Sequence, residues 1–189
     1  MSLKTLNKTM RVGLCLMLTF LSALAQPAMA QHVQSWTTVA SAGTVNETNI
    51  NDVNMSGGGV ASLVNGSDPL TANIRFNVVA TEGLFGVGYP RMRVRFTDNG
   101  ANAQVKVALY RISLDTGQIR KILELDSNDY AASGASQSQT TGLCDALESF
   151  NFSNNAYYLE TQLIRTGDGG FPKLTSIQLY KQGGSTCGS

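Results

Sequence analysis

Residues 91–126 read RMRVRFTDNGANAQVKVALYRISLDTGQIRKILELD, and the fold turns on how this stretch is paired. Its first six residues alternate with period two. Met92, Val94 and Phe96 face one way and Arg91, Arg93 and Arg95 the other, as in a strand with one buried and one solvated face. Asn99-Gly100 follows, a favoured dipeptide for a two-residue type I′ hairpin because both turn positions need positive φ. Such a hairpin sets Val94 opposite Val105, Met92 opposite Val107 and Arg93 opposite Lys106. Downstream, Leu114–Gln118 predicts a three-residue loop with Gly117 in the left-handed position. That register pairs Leu109 with Leu123 and Val107 with Leu125. The expectation is a three-stranded meander. Its outer face carries Lys106, Tyr110, Ile122, Glu124 and Asp126 beside the three arginines.

Outward from this centre, Trp36–Val39, Val60–Val64, residues 71–80, Ala156–Arg165 and Leu174–Tyr180 read as further strands. Ala156–Arg165 has apolar residues on both faces and belongs inside a sheet. Ser41–Gly59 is polar and turn-rich, a loop or an irregular edge. Ser127–Phe150 shows no periodicity, and a connection of that length reads as a functional loop, a lid or a covering segment. The count is about eight strands with no amphipathic helix of useful length. This predicts an all-β chain, a two-layer antiparallel β-sandwich of jelly-roll or Greek-key-like topology. Bacterial carbohydrate-binding modules and adhesion domains share that architecture, but no motif ties the chain to one family, and fold does not decide function.

The first thirty residues read as a signal peptide. Lys4, Lys8 and Arg11 precede the apolar run Val12–Leu24, and Ala28-Met29-Ala30 supplies a small-x-small cleavage site. The expected product is one domain, residues 31–189, secreted or periplasmic, with no transmembrane span. Without the three leader cations, 11 basic residues stand against 13 acidic ones. Nucleic acid, which wants a strongly basic footprint, is not an expected partner. Cys144 and Cys187 are the two cysteines outside the leader, and in an exported chain they read as a disulfide. Closing a loop of about 44 residues stabilises by roughly 4 kcal/mol on the chain-entropy account.

Several chemistries are missing. The single histidine, His32, lies at the start of the mature chain, so a Ser-His-Asp or Cys-His arrangement lacks a rigidly held base. There is no HExxH or CxxC, and Gly57-Gly58-Gly59 opens no phosphate loop. No cofactor is expected beyond a candidate structural calcium at Asp126, Asn128 and Asp129, hard oxygens at a strand end. A carboxylate pair for glycan cleavage can be drawn from Glu124, Asp126, Asp129, Glu148 and Glu160, although thirteen acids always offer pairs.

The sharpest surface feature is the arginine stripe Arg91, Arg93 and Arg95, joined across the expected hairpin by Lys106, with Tyr110 a further candidate for ligand contact. Guanidinium forks bind carboxylates, sulfates and phosphates bidentately. The competing reading is a solvated sheet face whose charge is offset by Glu124 and Asp126. Three functions follow from these residues. The leading one is an exported, non-catalytic domain binding an anionic or neutral glycan or a surface protein. The second is a structural protein of the cell envelope acting by strand-edge pairing. The third is a weak glycan-cleaving enzyme.

Overall fold

The computed structural model describes residues 35–85, 88–143 and 149–182. The leader segment 1–30, His32, the cysteines Cys144 and Cys187, and Glu148 lie outside these residues. The described chain is all-β, with eleven strands: β1 (Trp36–Val39), β2 (Thr44–Val45), β3 (Val53–Met55), β4 (Ala61–Leu63), β5 (Leu70–Val78), β6 (Tyr89–Asp98), β7 (Ala103–Ser113), β8 (Ile119–Asp126), β9 (Ser133–Gly142), β10 (Asn155–Arg165) and β11 (Lys173–Gln182). No helix among the described residues is long and apolar enough to cross a membrane.

Two antiparallel sheets face each other. Sheet A has the order β3-β4-β11-β6-β9, with β1 also paired to β11; sheet B has the order β2-β5-β10-β7-β8. From β4 onward the chain interleaves the layers, giving β4-β11-β6-β9 over β5-β10-β7-β8. This is the two-sheet, eight-stranded pattern of a jelly roll. The remaining strands, β1 to β3, come from the N-terminal portion, and two of them lie in Ser41–Gly59, an irregular edge as its Gly- and Asn-rich composition allows. Alternate residues of each long strand turn inward and interdigitate. Ile74, Val107, Leu109 and Leu159 of sheet B and Met92, Val94, Ile177 and Leu179 of sheet A are fully buried.

The expected meander is half correct. The β7–β8 hairpin forms with Val107 opposite Leu125 and Leu109 opposite Leu123, and Gly117 sits at φ +70°. A bulge after Leu109 pairs Tyr110 with Lys121, so Ile122 has no partner of its own and is buried rather than on the outer face. The β6–β7 hairpin does not form. Val94 lies between Ile177 and Gln139, and Arg93 between Gln178 and Thr140, whereas Lys106 lies between Gln162 and Asp126 in the other sheet.

Residues 99–102 form an arch from one layer to the other. Among the described residues no non-glycine residue has positive φ, so Asn99 does not adopt the type I′ geometry. Instead its side chain binds a neighbouring turn: Asn99 Nδ2 donates to the Gly169 carbonyl at 2.6 Å, and the Phe171 N–H donates to Asn99 Oδ1 at 2.7 Å. The Asp98 carboxylate, 2% exposed, accepts from the Gly100 N–H and the Ser127 hydroxyl, while the Val105 N–H donates to Ser127 Oγ. Ser127 is thereby the buried pin between arch and β8.

The stretch Ser127–Phe150, expected to be a functional loop, a lid or a covering segment, contains β9, the edge strand beside β6. Its sequence, SGASQSQTTG, is polar on both faces because no sheet lies beyond its edge and most of its side chains meet water. Period-two hydrophobicity has no cause there, so the strand left no pattern.

In a two-residue hairpin, Asn99→Gly is nearly neutral. In the arch it removes both bonds to the 169–171 turn, and the expected loss is about 1–2 kcal/mol. Urea unfolding of the two proteins measures it; unchanged stability would restore the hairpin.

Candidate functional site

The topology divides the charges expected on one face. Arg91, Arg93 and Arg95 point outward from sheet A, whereas Lys106, Tyr110, Glu124 and Asp126 belong to sheet B. The structure does not bring Lys106 and Tyr110 to the arginine stripe, and Glu124 and Asp126 do not offset it.

On sheet B three cations have carboxylates. Arg75 meets Glu160 at 3.1 Å, Lys106 meets Asp126 at 3.3 Å and Lys121 meets Glu124 at 2.7 Å. Tyr110 stacks on Tyr158 with centroids 5.1 Å apart and planes 12° from parallel, and the Arg75 guanidinium lies 5.9 Å from the Tyr158 centroid. Protein groups thus cover ring faces that a sugar platform would leave open. Beside β2, an open groove of about 420 Å³ is lined by Thr44, Val45, Asn46, Glu47, Arg75 and Asn77. It contains one carboxylate, so it has no pair for acid–base cleavage of a glycan.

Of the residues considered for calcium, Asp126 has its oxygens directed at protein donors. Asp126 accepts from Gln104 Nε2 at 2.8 Å, from the Asn128 N–H at 3.0 Å and from Lys106. Asn128 and Asp129 are exposed. Among the described residues no group of three or more His, Cys, Asp or Glu side chains could hold a metal ion. Burial pushes the Asp126 carboxyl up, but its bonds from Gln104, Asn128 and Lys106 outweigh this and hold it below the ordinary range. Tyr130 is half-buried and packs against the core, and burial, then Asp129, raises its hydroxyl pKa.

Sheet A presents a different surface. Its strands carry one acidic residue, Asp98, and that is buried in the arch. The register sets Tyr180, Arg91 and Gly142 in one cross-strand row and Gln178, Arg93 and Thr140 in the next. Ser176, Arg95 and Ser138 form the third. Among the described residues none of the three arginines is in an ion pair. Each is braced all the same. Arg95 Nε donates to Ser136 Oγ at 3.0 Å, and the Arg93 guanidinium lies 5.7 Å from the Tyr180 centroid. Arg91 lies across Gly142, where a Cβ would collide with its Cδ and Nε, and that Nε is buried without a hydrogen-bond partner.

Sequence reasoning turned the arginines outward on one strand but did not anticipate Tyr180, Gly142 and the polar row of β9 beside them. Tyr180 was visible as the outward residue of the last strand. Gly142 carried no signal, because its role depends on a strand that had no pattern.

No protein-family profile matches the chain, and no curated protein matches it in sequence. Among solved structures it is similar to the xylan-binding module CBM15, at 10% identity and TM-score 0.47, over 78% of this chain and 96% of that one. It is also similar to the C-terminal CBM6 of LamC from Zobellia galactanivorans, at 13% identity and TM-score 0.41, over 78% of this chain and the whole of that one. A family two carbohydrate esterase from Cellvibrio japonicus matches at 13% identity and TM-score 0.39. That match covers 79% of this chain but only 34% of the esterase.

A carboxylate with a lowered folded pKa adds stability that is complete above its unfolded pKa, about 3.9 for Asp, and is lost as pH falls through the folded value. Asp126→Asn is therefore expected to destabilise at pH 6, with the gap to wild type narrowing below about pH 4. Urea unfolding across pH 2–7 checks this; a gap independent of pH removes the ionised Asp126 from the account.

Proposed function

We propose that the chain is an exported, non-catalytic β-sandwich that binds an anionic glycan on the outer face of sheet A. The observation that carries the reading is the arginine row itself: three aligned guanidiniums on a sheet whose only strand carboxylate is buried. Like charges at alternate positions of one strand repel, and exposed partners usually relieve them. Here the opposite face holds the ion pairs and this face keeps its positive potential. Guanidinium forks take carboxylates and sulfates bidentately. The hydroxyls and amides of the flanking rows suit sugar hydroxyls.

A second reading rests on β9. It is a ten-residue edge strand without a charged residue or a proline, the usual guards against edge pairing. An envelope protein acting by strand addition would use this edge, and it would associate in a concentration-dependent way under sedimentation.

The test is a glycan array probed with the mature domain, with calcium and with chelator. Acidic glycans are expected to bind and neutral ones not to. Arg93→Ala with Arg95→Ala is expected to weaken binding by tenfold or more, roughly the loss of two charge-assisted contacts. Retention of acidic-glycan binding by that double variant would overturn the assignment. Binding abolished by chelator alone would move the site to Asp126, Asn128 and Asp129.

A further inference from the structure

Resting on the anionic-glycan reading, we infer that the ligand is a linear polyanion lying along β6, with Arg91, Arg93 and Arg95 contacting successive negative groups. The three arginines share one face of one strand, at alternate positions. Alternate residues of a strand lie about 6.8 Å apart, so the row spans roughly 14 Å, longer than one small anion. The braces point the same way. Ser136 engages the Nε of Arg95, Tyr180 lies under Arg93, and Gly142 gives Arg91 a bed against β9. Arg91 is held on the β9 side, Arg93 on the β11 side over Tyr180 of the Arg91 row, and Arg95 at Ser136, one step beyond Ser138 and away from Arg93. The result is a ladder of separate sites.

The flanks run parallel to the ladder. Tyr180, Gln178 and Ser176 line one side, and Gly142, Thr140 and Ser138 the other, all without charge. A chain lying along β6 would set its negative groups on the arginines and its hydroxyls on these rows. The ligand class is therefore a linear acidic polysaccharide, with carboxylates or sulfate esters along its length.

Arg91 marks one end of the ladder and depends on Gly142. Gly142 does not have positive φ, so its backbone accepts alanine; only the Arg91 side chain would be displaced. Gly142 is in this sense a positioning residue for Arg91.

The experiment is titration calorimetry of the mature domain with oligouronates of two, four and six residues, and with sulfated oligosaccharides of the same lengths. Affinity is expected to rise steeply with length until the oligomer spans all three arginines. Each of Arg91→Ala, Arg93→Ala and Arg95→Ala should weaken the longest bound ligand by roughly tenfold while leaving the shortest much less affected. Gly142→Ala should match Arg91→Ala in affinity and keep the wild-type melting temperature. The uronate and sulfate series tell which acid is preferred, and either supports the ladder. Equal affinity for all lengths, or full affinity in Arg91→Ala and Gly142→Ala, would overturn the ladder and leave acidic-glycan binding standing. If neither acidic series binds at any length, both readings fail.

Discussion

The Asp98 carboxylate, buried where β6 ends, accepts the Gly100 N–H and the Ser127 hydroxyl, and Ser127 Oγ in turn accepts the Val105 N–H. A buried carboxylate is costly unless its oxygens are occupied, and this small network occupies them where the chain leaves one sheet for the other. Once the arch is set, β6 pairs with β11 and β9, and β7 pairs with β10 and β8. The interleaving of the jelly roll through its middle follows from that crossing.

The crossing also sorts charge. Lys106 and Asp126, adjacent across β7 and β8, neutralise each other on sheet B, as do Arg75 with Glu160 across β5 and β10. Exposed pairs of this kind contribute little to stability, about 0–1 kcal/mol each. Their larger effect is on the field: three cations of sheet B are offset by neighbouring carboxylates, whereas sheet A carries three arginines without an exposed acid on its strands. The chain as a whole is nearly balanced in charge, so its composition gives no hint of that polarity. Only the division into layers creates it.

Local chemistry was legible wherever local physics decided the outcome. Gly117 at a left-handed position, the pairing of Leu109 with Leu123, the central place of β10 and the outward turn of Arg91, Arg93 and Arg95 all follow from alternation and turn geometry. Asn99-Gly100 misled because the same dipeptide serves a hairpin and an arch. Asn99 Oδ1 and Nδ2 find their partners seventy residues away, at Gly169 and Phe171, which no short-range signal reveals. β9 was hidden for a related reason: an edge strand wet on both faces gains nothing from alternating apolar residues, so its polar sequence looked like a loop.

Alternation alone showed most of the inward-facing residues, because period-two hydrophobicity is enforced within each strand by burial of one face; Ile122, displaced by the bulge after Leu109, escaped it. The sequence by itself also determined that the chain is all-β and that arginines line one side of β6. Which strands are neighbours was settled by long-range packing, since an inward-facing residue is equally satisfied by any apolar partner across the core. That choice separated Lys106 and Tyr110 from the arginines, brought Tyr180 and Gly142 to them, and left Arg91 Nε buried without an acceptor. Alternation is a property of a single strand, whereas a binding face is assembled from strands distant in the chain.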